Sequence, residues 1–208
     1  MQSGYATPAV LSLAALLCAA CSGATKHQEE GGATSGGQAA ASRPAPQPGE
    51  AALLAAAQQA RQSFADGAPS VDALMDALVQ ALSRKDMNAL DQLRVSKAEY
   101  VDLIVPGTVP LGQPPRQVSA EPKEFFWSML DTRSRYFADN LVAQLGGRTY
   151  RSHQLRFSKP PKEFAWYTAH GEVRMDLEGE DDVTYHLLAG WVAEVDGKYK
   201  FIGYEYND

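Results

Sequence analysis

The hydrophobic pattern of this chain changes its period at Gly146-Gly147. Before this pair, apolar residues recur every three to four positions, which is the period of an amphipathic helix. After it, apolar and polar residues alternate in stretches rich in β-branched and aromatic side chains, which is the period of a strand. Helices first and strands last is the order of an α+β fold. We therefore expect N-terminal helices packed on a C-terminal, curved, four-stranded antiparallel sheet.

Several helices are expected before Gly146. Residues 50–66 are rich in alanine with a thin apolar stripe, so this segment is either a stalk helix or the first helix of the domain. Ser70 is a typical N-cap for the amphipathic helix that follows, and Ser96 with Glu99 three residues later forms a capping box for another. The longest helix is expected to begin at Pro122 and to supply the main core face.

The strands are expected over residues 149–157, 164–177, 183–195 and 198–206. The dipeptide Asp196-Gly197 between two alternating segments is a two-residue hairpin signal, so it determines the register of the last two strands. The pairs that follow from this turn are Val195–Lys198, Val192–Phe201 and Trp191–Ile202.

Length and charge restrict the class of protein. With 208 residues, the chain has room for one ordinary domain once an export signal and a linker are set aside. The formal net charge is −6, whereas nucleic-acid binding requires a strongly basic surface. We expect no nucleic-acid partner.

The first 20 residues are typical of a signal peptide. Residues 1–21 contain no Asp, Glu, Lys or Arg, and the apolar run over residues 9–20 is shorter than the roughly 20 residues that a membrane-spanning helix needs. We expect residues 1–20 to be removed on export and the mature chain to have no transmembrane helix.

The segment Cys18-Ala19-Ala20-Cys21-Ser22 resembles the lipobox of bacterial lipoproteins. The resemblance implies that Cys21 is acylated and anchors the chain in a membrane of the cell envelope. With Ser22 after it, the outer membrane is favoured if the cell has one, and the domain lies in the periplasm or at the surface. Cys18 stands where Leu is usual, and no Lys or Arg precedes the apolar run. Two alternatives therefore stay open: an ordinary cleavable signal, and a start codon assigned too late.

Residues 21–49 form the expected lipidated flexible linker. They are mostly Gly, Ala, Ser, Gln, Pro and Thr, which bury too little apolar area to fold. Such a coil spans roughly 30 Å as an r.m.s. distance. It would lift the Ala-rich helix (50–67) and the α+β domain (68–208) off the bilayer.

The segment from Gly190 to Ile202 resembles the closing hairpin of the nuclear transport factor 2-like, or cystatin-like cone, superfamily. The order of elements over residues 70–208 is similar too, although a clear strand between the early helices, which many members have, is lacking. The resemblance implies a cone-like sheet. Members include ketosteroid isomerases and dehydratases as well as ligand-binding and assembly modules, so the fold does not decide the function.

Aromatic residues are concentrated in the long helix and in the strands. In a cone, the helix covers part of the concave sheet, so side chains at the open end would line an apolar pocket with a few polar groups. The candidate pocket residues are Trp127, Asp131, Tyr167, His170, Trp191 and Tyr204. His170 could act as a general base. Alternatively, it belongs to the solvated face of its strand, opposite an apolar face that includes Tyr167 and Ala169.

Two groups of residues have the side chains that a metal site would need. His153, His170 and His186 lie on successive strands, but the expected register separates the last two by roughly 16 Å. Carboxylates crowd residues 176–182 without the spacing of a calcium-binding loop. We expect no metal and no cofactor.

These observations favour a binding module over an enzyme. We expect a membrane-tethered envelope lipoprotein whose domain binds a small apolar ligand or a protein partner. The alternative is a small isomerase- or dehydratase-like enzyme with His170 or Asp131 as its general base. A third hypothesis is an assembly role, with the strand ending at Tyr206 as an edge that pairs in a homodimer.

Overall fold

Helices precede the sheet in the computed structural model of the protein, which describes residues 48–205. The predictions for the signal peptide, for Cys21 and for Tyr206 lie outside the described residues. The helices are α1 (Pro48–Ser63), a 3₁₀ turn (Phe64–Asp66), α2 (Val71–Arg84), α3 (Met87–Gln92), α4 (Lys97–Glu99), a π-helical turn (Tyr100–Ile104), α5 (Val105–Gly107) and α6 (Ala120–Leu145).

The expected helix caps are confirmed. The Ser70 hydroxyl accepts a hydrogen bond from the backbone N–H of Ala73 at 3.1 Å and begins α2. Ser96 and Glu99 form a reciprocal capping box at α4. The long helix α6 begins two residues before Pro122, because proline is tolerated in the first turn, where backbone N–H groups have no partner within the helix.

The helices come first and are followed by an antiparallel sheet, so the expected α+β class and element order are confirmed. The expected count of four strands is wrong. The strands are β1 (Tyr150–Phe157), β2 (Lys162–Glu163), β3 (Thr168–Gly179), β4 (Thr184–Val195) and β5 (Lys198–Gly203). Their order is β1-β3-β4-β5, and the short β2 pairs with β3. The expected second strand starts late because the N–H of Phe164 donates to the carbonyl of Tyr167, which closes a turn.

The register of the last hairpin is confirmed near its turn and wrong farther away. Val195 pairs with Lys198, and Val192 with Phe201, as Asp196-Gly197 predicts. Trp191 pairs with Gly203 instead of Ile202, because the register shifts between Trp191 and Val192. The neighbouring Gly190 has a φ of 109°, which side chains rarely tolerate.

A second irregularity lies in β3. His170 pairs with Val192 and Val173 pairs with Gly190, so two β3 residues oppose one β4 residue. Such a bulge changes which face of the sheet the following side chains occupy. The bulge puts Val173 of the first core on the same face as His170, which contacts the ring of Tyr199 there. His170 therefore lies opposite Tyr167 and Ala169, as expected, but its own face is not solvated, because the first core covers it and leaves the side chain 13% exposed.

Two cores lie on the sheet. The first joins α2, α3 and α6 to the long strands, with Leu78, Leu141, Met175 and Phe201 fully buried. The second joins α1 and the π-helical turn to the end of the sheet near the Asp196-Gly197 turn. Its buried members are Ala60, Phe64, Val95, Leu103, Ile104, Tyr167, Ala169, Ala193 and Val195.

Within residues 48–205, no helix has the length and apolar character needed to cross a membrane.

Candidate functional site

The six expected pocket residues are not brought together. Tyr204 is 2% exposed, and its hydroxyl donates to the carbonyl of Leu90 at 2.7 Å. Tyr167 lies in the second core, where its hydroxyl is 2.9 Å from that of Thr108. Burial raises the pKa of both tyrosines, so both hydroxyls stay protonated and serve the packing of the fold.

Asp131 is held by two guanidinium groups. Its carboxylate accepts from Arg94 at 2.8 Å and from Arg135 at 2.9 Å. Burial alone would raise the pKa of Asp131, but the hydrogen bonds and charges of these arginines outweigh it and lower the pKa. A carboxylate stabilised in this way is a weak base, which argues against the enzymatic hypothesis for Asp131.

His170 forms a polar cluster with two residues of the last hairpin. Its Nε2 lies 2.8 Å from Oε2 of Glu194, and its side chain is 13% exposed. The hydroxyl of Tyr199 forms a hydrogen bond with the same carboxylate. Burial is the main cause that raises the pKa of Tyr199, and the negative charge of Glu194 adds to it. The imidazole also lies 5.7 Å from the ring of Phe157. This cluster could position a proton, but Asp131 is held by Arg94 and Arg135, neither of which belongs to it.

The two candidate tryptophans lie apart as well. Trp127 of α6 is 5.9 Å from the ring of Tyr100 in the π-helical turn. Trp191 packs against the second core, and the centre of its ring lies 5.9 Å from Nζ of Lys159. Its ring lies so close to Gly171 that a Cβ at that position would be 2.7 Å from it.

The space between α6 and the sheet is filled by side chains. Ala138, Leu141 and Leu145 from the helix meet Val173 and Met175 from β3 in the first core. At the end of β5, the N–H of Tyr204 donates to the hydroxyl of the buried Ser134 at 2.9 Å, which fixes the chain against α6. The expected pocket between helix and sheet is therefore occupied by the protein's own core.

The outer side of α6 carries apolar residues that the fold does not cover. Phe125, Met129 and Tyr136 are 60%, 45% and 63% exposed. Together with Ser128, Thr132 and Arg133, they line an open groove of about 550 Å³. We call these six residues the α6 apolar face.

Arg133 is the charged member of this face. Its guanidinium lies 5.3 Å from the centre of the Phe137 ring and 4.0 Å from the carboxylate of Glu205. The positive charge is thus partly neutralised by groups of the same chain. The α6 apolar face consequently presents apolar side chains with a single cationic edge.

The residues of the acidic hairpin tip and the other two histidines have side-chain partners within the chain. Asp182 contacts Arg151, and Asp181 accepts from Tyr185 at 2.8 Å. His186 lies 2.6 Å from Asp176, and His153 lies 3.2 Å from Asp76. Among the described residues, no group of three or more His, Cys, Asp or Glu could hold a metal ion.

Sequence reasoning missed the α6 apolar face, although a signal was present. The buried residues of α6 are Leu130, Ser134, Ala138, Leu141 and Leu145. Phe125, Met129 and Tyr136 fall on the other side of the helix, so α6 is apolar on two sides. A helix of this kind needs a second partner for its second side, or leaves that side exposed.

Comparisons with known proteins add no relative: no family model, no curated protein and no solved structure matches the chain.

Proposed function

We propose that this chain is a lipid-anchored protein of the cell envelope whose domain binds a protein partner through the α6 apolar face. The observation that carries the proposal is the exposure of Phe125, Met129 and Tyr136 on one side of α6. Large apolar side chains exposed next to one another on a protein surface usually mark an interaction site.

The shape of the groove favours a protein over a small ligand. Sites for small molecules are usually concave and bury most of the ligand's surface. The α6 apolar face is the outer side of a single helix, and a groove on such a surface leaves one side of any small ligand in water. A second apolar helix, by contrast, would cover Phe125, Met129 and Tyr136 together.

The cone-like fold of the nuclear transport factor 2-like superfamily remains part of the proposal. It is supported by the order of helices before an antiparallel sheet and by bulges in β3 and β4, which bend such sheets. Assembly modules of that superfamily are closer to the proposed role than its enzymes, because Asp131 is fixed by Arg94 and Arg135.

The anchor is proposed from residues 18–22, and metabolic labelling tests it. Cells producing the full chain are grown with an alkyne analogue of palmitate, and the chain is examined for incorporated label. Cys21→Ser should abolish the label and release the chain from the membrane fraction. Cys18→Leu, which introduces the residue usual at that position of a lipobox, should keep the label. Unchanged labelling of Cys21→Ser would refute the anchor.

The binding face is tested by photo-crosslinking in intact cells. A benzophenone amino acid is placed at Phe125 or Tyr136 in the full chain, and at Leu111 as the control. Leu111 is a large apolar residue that is 66% exposed and lies outside the α6 apolar face. We expect an adduct of defined mass at both α6 positions and none at Leu111. No adduct at either α6 position would contradict the proposed binding face.

A further inference from the structure

Two arginines lie opposite each other on the side of the sheet away from the first core. Arg174 of β3 stands between Val173 and Met175, which are buried in that core, so its own side chain lies on the other side. In the register of β1 and β3, Arg156 pairs with Arg174, and both side chains are exposed. Paired residues of antiparallel strands have Cα atoms only about 4.5 to 5.5 Å apart, and like charges at such positions normally destabilise a sheet. This pair is therefore not explained by the stability of the fold.

One carboxylate lies beside the pair, and both of its oxygens already have partners. Oδ2 of Asp176 accepts a hydrogen bond from Nη2 of Arg156, and Oδ1 lies 2.6 Å from Nδ1 of His186, which pairs with Asp176 on β4. The hydrogen bond with His186 lowers the pKa of Asp176 most, burial opposes it, and the charge of Arg156 lowers the pKa further. Asp176 is therefore ionised at neutral pH and neutralises one of the two guanidinium groups.

Arg174 is the cation that this arrangement leaves over. Among the residues that the structure describes, none forms a hydrogen bond or an ion pair with its guanidinium. A guanidinium has five N–H donors and no acceptor, so all the donors of Arg174 are available to a ligand. With His186 counted as neutral, two guanidinium groups and one carboxylate leave a positive charge here, although the chain as a whole has a net charge of −6.

These side chains line a small cavity on the sheet. Arg156, Arg174, Asp176, His186 and Leu187 surround a volume of about 190 Å³. Sites for drug-sized molecules measure about 300 to 1,000 Å³, so this cavity has room for one small chemical group. We call these five residues the Arg156–Arg174 site.

We infer that the Arg156–Arg174 site binds a phosphate group. The planar fork of a guanidinium matches two oxygens of a carboxylate or of a phosphate. A carboxylate has only these two oxygens, whereas a phosphate monoester has three terminal oxygens. It can therefore accept two hydrogen bonds from Arg174 and another from an N–H group of Arg156 that Asp176 does not use.

The inference goes beyond the proposed function, because the site shares no residue with the α6 apolar face. Lipid headgroups and soluble phosphate esters carry the same phosphate group, and the experiments below distinguish these two sources.

Inorganic phosphate is the probe in the first experiment. The full chain, purified in a neutral detergent, is titrated with sodium phosphate at constant ionic strength, and the arginine Nε–Hε signals are followed by NMR. We expect saturable shifts at Arg156 and Arg174. Read from the Arg156 signal, Arg174→Gln should weaken binding at least about ten-fold, because hydrogen bonds between charged groups are lost. Arg174→Lys keeps the charge but not the fork, and should weaken binding at least about three-fold.

Arg116→Gln is the matched control. Arg116 is exposed and lies outside the site, so this variant removes the same charge from another part of the surface. It should leave the affinity for phosphate within about two-fold of wild type, because distant surface charges are screened by salt. Sulfate, which is also tetrahedral, should compete with phosphate, whereas acetate at the same ionic strength should not. Urea unfolding of each variant verifies that the fold is retained.

Chemical protection locates the site by a second readout. Phenylglyoxal modifies accessible arginine side chains, and peptide mass spectrometry identifies each modified residue. Phosphate at about four times its Kd should slow the modification of Arg174 about five-fold, since the occupied fraction of the site is protected. The modification of Arg116 should proceed at an unchanged rate.

Vesicles distinguish the two sources of the phosphate group. Cys21→Ser removes the proposed lipid, and vesicles of phosphatidylcholine alone report any binding through the apolar N-terminal run. Vesicles of phosphatidylcholine and phosphatidic acid present a phosphate monoester in addition. Co-flotation with the second kind only, lost when Arg174→Gln is added, identifies a lipid headgroup as the ligand. Phosphate binding at Arg174 without this co-flotation identifies a soluble phosphate ester.

Two results would overturn the inference. One is phosphate binding that Arg174→Gln leaves unchanged, or that Arg116→Gln weakens equally. The other is the absence of phosphate binding by the full chain. Neither result bears on the α6 apolar face, whose test uses Phe125 and Tyr136.

Discussion

The buried ion pair between Lys200 and Glu99 should be a principal determinant of stability. Nζ of Lys200 lies 2.7 Å from Oε1 of Glu99, and the two side chains are 9% and 1% exposed. The same carboxylate accepts from the Ser63 hydroxyl at 3.1 Å and from the N–H of Ser96 at 2.6 Å. This one group therefore connects β5, the end of α1 and the start of α4.

Removing either charge should destabilise the fold strongly. Glu99→Gln leaves the ammonium of Lys200 buried without a counter-charge, and Lys200→Met leaves the carboxylate of Glu99 buried in the same way. Breaking a buried pair from one side typically costs about 3 to 5 kcal/mol. Since domains are typically stable by about 5 to 15 kcal/mol, either single variant should lose a large part of its free energy of unfolding.

The double variant Glu99→Gln/Lys200→Met should lose less than the sum of the two single variants, because no uncompensated charge remains. Urea unfolding followed by tryptophan fluorescence measures all four proteins, since Trp127, Trp166 and Trp191 all lie in the described fold. We expect a coupling energy of at least about 2 kcal/mol. Strict additivity, or a loss below about 1 kcal/mol for either single variant, would refute this account of the pair.

Three further measurements test other parts of the structure. Asp131→Asn should lose about 1 to 2 kcal/mol at neutral pH, because Arg94 loses one of its carboxylate partners. The pKa of Asp131 is lowered in the folded state, so ionised Asp131 stabilises the fold above pH 3.8, the ordinary value, and this contribution is lost as pH falls through the folded-state pKa. A difference in stability between Asp131→Asn and wild type that persists in strong acid would contradict this. Burial raises the pKa of Tyr150 to about 12, so the folded state resists deprotonation and stability should fall between about pH 10 and 12. Tyr150→Phe should flatten that alkaline decline in urea titrations, and an equally steep decline would count against it. Gly197→Ala should cost about 1 to 2 kcal/mol of stability, because Gly197 has a positive φ. Gly190→Ala should cost more, because its Cβ would also lie 2.3 Å from the carbonyl oxygen of Gly203. Equal losses of the two variants in thermal unfolding would contradict this close approach.

The features that the sequence predicted correctly are those with local causes. The N-cap at Ser70 and the capping box of Ser96 and Glu99 involve residues three positions apart. The Asp196-Gly197 turn determines the register of the residues next to it. Such features follow from backbone chemistry over a few residues, so they can be recognised without knowledge of the tertiary contacts.

The errors arise where tertiary packing decides the conformation. The ring of Trp191 occupies the place of a side chain at Gly171, and the backbone of Gly203 lies close to Gly190. These contacts accompany the bulges that shift the register and turn His170 towards Tyr199. Glycine inside a strand is a known sign of a bulge or of a close approach, so Gly171 and Gly190 were the available signals.

The six residues predicted to line a pocket do not come together, for a related reason. The sequence shows that aromatic residues are numerous, but it does not show which of them the fold covers. Tyr167 and Tyr204 became packing residues with hydrogen-bonded hydroxyls, whereas Phe125 and Tyr136 stayed in water. Exposure depends on where α6 crosses the sheet, and this crossing is a property of the assembled fold.

The position of the first core along α6 bears directly on the proposed function. The first buried residue of this helix is Leu130, so none of its residues from Ala120 to Met129 is buried in the fold. This segment nevertheless includes Phe125 and Met129, which are both exposed to water. Exposed apolar side chains of this size lower the solubility of a protein. A segment that served only to cap the core would be stable with polar residues at those outward positions. The apolar residues at these positions are best explained if another apolar surface covers them, which is what the proposed binding of a protein partner requires.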